Sequence, residues 1–261
     1  ILFGSLKFPL AQEFVLITSL GLIYIIMNYL VKPLSKEKKF TIIGTAIIIF
    51  VYRSIPGPGV GLTWFEIDVL NFDQSFLAYL SLNAAFLTLL GLILFRKFII
   101  KTSLAKLFIF LSLISGFLYF PNLFMYYGFH NLTSSLTNGI VNEKFIAFIN
   151  TAIESPLAQV AMIPLLGWIA KNAPLKYKAT FFAVFASFTN LALSARELFT
   201  KYLNKIFIIK REVIDQNSQT VIEKADYSNL DELLISIVVI TIFIPIITII
   251  LIQKSKFKST E

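Results

Sequence analysis

From Leu233 to Ile252 the chain reads LLISIVVITIFIPIITIILI, twenty residues without one charged side chain. A helix of that length rises about 30 Å, the thickness of the hydrocarbon core of a bilayer. Lipid offers no partner to a backbone N–H or C=O, so a chain that enters it must satisfy its own polar groups, and long continuous apolar runs do so as helices. Similar runs recur along the chain and alternate with short charged loops, so the expected fold class is an all-α integral membrane protein with about seven transmembrane helices. Composition agrees: 57% of residues are hydrophobic and 27 are Phe, whereas soluble domains carry roughly 45–50% apolar residues.

The expected spans cover residues of about 11–31, 40–55, 75–95, 104–127, 145–170, 179–203 and 232–252. The charges orient them. Lys32, Lys36, Lys38 and Lys39 follow the first span; Arg96, Lys97, Lys101 and Lys106 follow the third; Lys171, Lys176 and Lys178 follow the fifth; Lys254, Lys256 and Lys258 close the chain. These fourteen of the 23 basic residues fall on one side of a seven-span arrangement. The positive-inside bias makes that side, and the C-terminus, cytoplasmic in what reads as the plasma (inner) membrane. The same bias accounts for the formal charge of +8, so nucleic acid is not an expected partner and membrane lipid is. The chain opens at Ile1 and enters a span almost at once, which suggests a piece of a longer protein. Residues 205–230 mix both signs and carry β-branched runs around DQNS, the pattern of a small outer hairpin.

One carboxylate, Glu154, falls inside the fifth span. A charged side chain at a bilayer's centre costs about 2.5–3.5 kcal/mol on insertion scales, so a carboxylate there is a functional candidate, here for a proton or substrate pathway. The alternative is a carboxylate paired to a neighbouring helix for assembly alone. Asn150 lies one turn earlier and Gln159 five residues later, while Asn83 and Asn190 sit within other spans. Such amides suit a heteroaromatic substrate, and they equally join helices as structural glue. Arg53 stands at a span end, where a guanidinium either meets an anion or snorkels to the interface; Arg196, a further pathway candidate at the end of the sixth span, points away from its neighbour Glu197 on a helix and is free to pair across helices. Pro156 and Pro164 free backbone carbonyls in the fifth span, which favours a bent helix lining a cavity. His130 falls in an expected loop with no neighbour at metal-ligand spacing, and no metal or cofactor is expected.

The stretch RSIPGPGVGLTWFEIDVLNFDQSF, with Pro56, Trp64, Asp68, Asp73 and Gln74, resembles the folate-biopterin transporter family of the major facilitator superfamily. A second block, MIPLLGWIAKNAPLKYKATFFAVFASFTNLA, is similar to that family's penultimate loop and following span through Pro164, Lys171, Ala179, Thr180, Phe182, Ala183 and Asn190. Phe65 and Lys178 depart from the family pattern. The resemblance implies that residues 1–31 are the last helix of an N-terminal half, 32–39 the central cytoplasmic linker and 40–261 a C-terminal six-helix half, with the N-terminal half as the missing partner. It further implies secondary active transport, by proton-coupled symport, of folate, biopterin or a related pteridine or small organic anion. An unrelated substrate, or a structural subunit of a membrane complex, is the competing expectation. An enzyme is not expected: the chain lacks Cys, HExxH and GxSxG, and has no His within a span.

Overall fold

The computed structural model describes residues 10–158, 173, 177–214 and 221–258. Helix α1 (Ala11–Val31) fills the first expected span. Helix α2 (Lys36–Arg53) starts a turn earlier than its apolar run, because the Ser35 hydroxyl caps it by accepting from the Lys38 N–H at 3.4 Å. Lys36, Lys38 and Lys39, expected in a loop, are therefore its first turn. A Pro/Gly turn leads into the short helix α3 (Val60–Asp68), and α4 (Gln74–Leu94) follows. Asp73 caps α4 as expected, its Oδ1 accepting from the Phe76 N–H at 2.8 Å.

After α5 (Arg96–Lys101), the fourth span is broken in two, α6 (Leu104–Phe117) and α7 (Phe120–Tyr126). Pro121 is the cause. It has no N–H to give the Phe117 carbonyl and its ring crowds that oxygen, so the chain tightens at Leu118 and Tyr119 before a new helix begins. Residues 129–136, expected as loop, form the helix α8 (Phe129–Leu136), which carries His130. The left-handed Gly128, at φ 75°, turns the chain into it.

Helix α9 (Glu143–Ala158) carries Glu154; Gln159 and Pro164, in the remainder of the fifth expected span, lie outside the described residues. Helix α10 (Lys178–Ile206) spans 29 residues. The expected hairpin is present as the antiparallel strands β1 (Val213–Ile214) and β2 (Val221–Glu223), extended by a Lys210–Asp226 bridge, and α11 (Leu230–Gln253) ends the fold. Five stretches among the described residues are long and apolar enough to cross a membrane: Ala11–Val31, Gln74–Gly91, Leu104–Tyr126, Lys178–Ile206 and Leu230–Gln253. Charges crowd the ends of α2, and α9 runs to the edge of the described residues.

Helix α11 is the hub. It packs against α2, α6 and α7; α10 packs on α2, α1 on α10, and α4 pairs with α9. Ile42, Ile49, Phe108, Leu111, Phe181, Phe185 and Ile249 fill one cluster between these helices, and Leu62, Phe65, Phe72, Leu123, Leu230 and Leu234 fill another. The α4–α9 pair is tight because Gly91 has no side chain: a Cβ there would collide with the Pro156 backbone. Thr88 adds a 3.0 Å bond to the Ser155 carbonyl.

The two ends of the bundle are pinned differently. After α11 the chain returns to the start of α2, where the Thr41 hydroxyl donates to the Lys258 carbonyl at 3.4 Å and Phe257 meets Phe40 edge-on. The basic first turn of α2 and the basic tail thus share one end. At the other end Arg211 forks onto Asp68 at 2.8 and 3.0 Å, and the Tyr227 hydroxyl donates to the same carboxylate at 2.6 Å. This latch ties the hairpin to α3, and the Arg211 bonds hold the Asp68 carboxyl below its usual range.

Within α3, burial pushes the Glu66 carboxyl from 4.5 up to about 7. The neutral form is favoured by folding, so its contribution is fully present below 4.5 and is lost as pH rises through about 7. The loss amounts to at most about 3 kcal/mol. Thermal unfolding of the purified protein should therefore shift downwards across that interval, and Glu66→Gln should flatten the shift. An unchanged pH profile in the variant would show that Glu66 is not its source.

Candidate functional site

Helices α2, α6, α9, α10 and α11 converge on a cavity of about 250 Å³. It is lined by charged and phenolic groups from segments far apart in sequence: Tyr52 and Arg53 from α2, Tyr119 from the α6–α7 break, Glu154 from α9 and Arg196 from α10. Ser115 and Thr241 complete the polar lining; Ile55, Pro56, Leu118, Leu157 and Leu193 supply the apolar wall.

Local structure explains each placement. Arg53 is the last residue of α2, and its half-buried side chain turns into the cavity instead of reaching outward. The Pro/Gly turn that follows is held to α10 by the Gly57 N–H, which donates to the Thr200 hydroxyl at 3.0 Å, and by Asn204, which donates to the Pro58 carbonyl at 3.4 Å. Gly59 sits at φ 69°, ψ −162°, a region that essentially only glycine adopts. Gly57 leaves room for Arg196, whose Nη2 would lie 3.2 Å from a Cβ at that position. One turn motif thereby aims Arg53, contributes Pro56 to the wall and makes space for Arg196. The helix break before Pro121 does the same for Leu118 and Tyr119.

The charges are not neutralised by close pairing. Glu154 opens onto the cavity, and Arg196 acts on it electrostatically. The described ion pairs join Lys144 to Asp73, Lys201 to Glu13, Lys210 to Glu223 and Arg211 to Asp68, so none closes between cavity residues. Arg53 Nε and Thr241 Oγ1 are buried without a hydrogen-bond partner. Two guanidinium groups, one carboxylate and unused donors form a site with surplus capacity for an anion. Tyr52, whose ring also packs on Phe108 with centroids 4.7 Å apart, and Tyr119 bring phenolic side chains to its edge.

Of the residues singled out from sequence, Arg53, Glu154, Arg196 and Pro56 meet here. The described amides, Asn83, Asn150 and Asn190, do not line this cavity. Asn83 on α4 donates to its own helix at Tyr79 O, 2.8 Å away. Asn150 keeps a buried Oδ1 without a partner, and Asn190 is exposed on α10. Trp64 is half-buried in α3, Gln74 is exposed at the start of α4, and Thr180 is exposed near the start of α10. Asp68 and Asp73 serve the latch and the α4 cap. Sequence reasoning missed Tyr52, Ser115, Tyr119 and Thr241. Tyr52 adjoins Arg53, and Tyr119 adjoins the Pro121 break, which are the local signals that point to them. Among the described residues no group of His, Cys, Asp and Glu is arranged to hold a metal ion.

A family model described as the BT1 family matches residues 13–260. Two curated relatives are a putative folate transporter 2 of Plasmodium berghei, 30% identical over 57% of this chain and 32% of the relative, and folate transporter 2 of Plasmodium falciparum, 29% identical over 63% of this chain and 35% of the relative. The chain thus matches about a third of the length of these relatives. No solved structure matches. With the family model covering nearly every residue, including the turn that aims Arg53 and both blocks that carried the resemblance, this chain belongs to the BT1 family of folate-biopterin membrane transporters.

Proposed function

We propose that this chain supplies the substrate cavity of a secondary transporter that moves folate, biopterin or a related pteridine or organic anion across a membrane by proton-coupled symport. The observation that carries the reading is the cavity, where Arg53, Arg196 and Glu154 converge from three helices with donors left unused. Arg53 and Arg196 hold the anionic end of the substrate, Tyr52 and Tyr119 flank its ring, and Glu154 takes up and releases a proton. The cavity lies below the roughly 300–1,000 Å³ typical of small-molecule sites, so a folate-sized molecule extends beyond it.

The rest of that path belongs to helices outside this chain. Ser187, Asn190 and Ser194 form an exposed polar stripe along α10, a face that suits other helices or water better than lipid. We assign α1 to the end of an N-terminal half, residues 32–39 to a cytoplasmic linker and residues 40–261 to a C-terminal half, with the basic end of the bundle cytoplasmic. Alternating access then arises from rocking of the halves about the cavity. The chemistry is binding and translocation, without an enzymatic step. Uptake of labelled folate by the full-length protein in a transport-deficient host tests the reading. Competition by unlabelled biopterin and stimulation by an inward proton gradient support it; no uptake of either pteridine by correctly folded protein contradicts it.

A further inference from the structure

The formal charge of the cavity depends on one proton. Arg53 and Arg196 face a single carboxylate, Glu154, so the lining carries one net positive charge when Glu154 is ionised and two when it is protonated. Among the described residues, the groups around Glu154 offer no second carboxylate to adjust that charge. Arg196 approaches from α10, Tyr52 and Arg53 from α2, and Tyr119 from the α6–α7 break, while α11 contributes only Thr241. Helix α4, which packs along α9, has no charged residue between Gln74 and Leu94, and it meets the next residue, Ser155, with the neutral Thr88. Helix α8 adjoins the beginning of α9, where Thr133 bonds the Val141 carbonyl at 2.7 Å, so its His130 belongs to that end. Lys144, also near the beginning of α9, is paired with Asp73.

We propose that the protonation state of Glu154 selects the charge of the anion that the cavity accepts: a monoanion matches the ionised state, and a dianion enters together with one proton that settles on Glu154. The inference rests on the reading that this cavity holds the transported anion. The proton comes from solvent and binds a Glu154 carboxylate oxygen, and no other bond forms or breaks. A dianion beside an ionised Glu154 leaves like charges side by side in the cavity, whereas protonation removes that repulsion and frees both guanidinium groups for the ligand. A monoanion leaves no surplus negative charge and needs no proton. The cavity therefore distinguishes anions by charge, and between them it couples proton uptake to the dianion.

Purified full-length protein tests this with folate, which carries two carboxylates, and pteroate, which carries one. Binding is measured across the range in which Glu154 titrates. Where Glu154 of the free site is ionised, uptake of one proton per ligand weakens folate binding tenfold for each unit of rising pH, while pteroate binding changes far less. Glu154→Gln should remove the folate slope, and Glu154→Asp should retain a slope at a displaced pH. Equal pH dependence for folate and pteroate overturns the inference, as does a folate slope that survives in Glu154→Gln. If Glu154→Gln fails to fold, the wild-type comparison of the two ligands decides alone. Failure of both ligands to bind overturns the underlying assignment of the cavity, a result distinct from binding without a charge-dependent slope.

Discussion

Replacing Arg196 with Gln should weaken the apparent affinity of the full-length transporter for folate by about tenfold to a hundredfold. A hydrogen bond to a charged group contributes about 1.5–3 kcal/mol, and each 1.4 kcal/mol is a factor of ten. Gln is shorter and neutral, so the variant loses both the charge and the forked donor geometry, although Gly57 still leaves the space open. Arg196→Lys should fall between wild type and Gln, because an ammonium restores the charge without the bidentate fork. The measurement is the KM for labelled folate uptake, normalised to folded protein at the membrane. An Arg196 that serves only assembly predicts reduced abundance with an unchanged KM.

Glu154→Gln should abolish proton-gradient-driven accumulation while leaving exchange of internal for external folate. The amide keeps the size and hydrogen-bonding groups of the protonated acid and fixes the cavity in that state, so ligand still binds but no proton is carried. Glu154→Asp should retain partial, pH-shifted transport, since the carboxylate is withdrawn by about one methylene rather than removed. A Glu154 that merely pairs helices predicts lost abundance on substitution, with gradient dependence intact in whatever protein folds. Accumulation by Glu154→Gln at the wild-type level, per folded molecule, would eliminate Glu154 as the coupling group.

The helical membrane fold was legible because lipid leaves the backbone few solutions, and runs such as Leu233–Ile252 announce theirs directly. Local chemistry then moved the boundaries. Ser35 drew three lysines into α2 through a single cap, and Pro121 did more than bend its span, separating α6 from α7 at the residues that line the cavity. Helix α8 was read as a loop because its eight residues, most of them polar, are too few and too polar to stand out as a span. The chemistry of Glu154, Arg53 and Arg196 was visible one residue at a time. Their convergence was not, since it depends on how α2, α6, α9, α10 and α11 come together at the cavity. The same limit explains the amides. Asn83 reads as a ligand group by residue type, yet its side chain is satisfied by its own helix. Arg211, which closes the latch on Asp68, looked like one charge among many in a mixed loop.

Cysteine protection reports whether the transported anion sits in this cavity. These 261 residues contain no Cys, so single cysteines can be placed here in full-length protein whose other cysteines have been replaced. Leu193 lines the cavity, whereas Gln74, at the start of α4, is exposed and outside the lining. A small thiol reagent should label both Leu193→Cys and Gln74→Cys, and saturating folate should slow labelling of Leu193→Cys while leaving Gln74→Cys unchanged. Unslowed labelling of Leu193→Cys at saturating folate would place the ligand elsewhere and contradict the assignment.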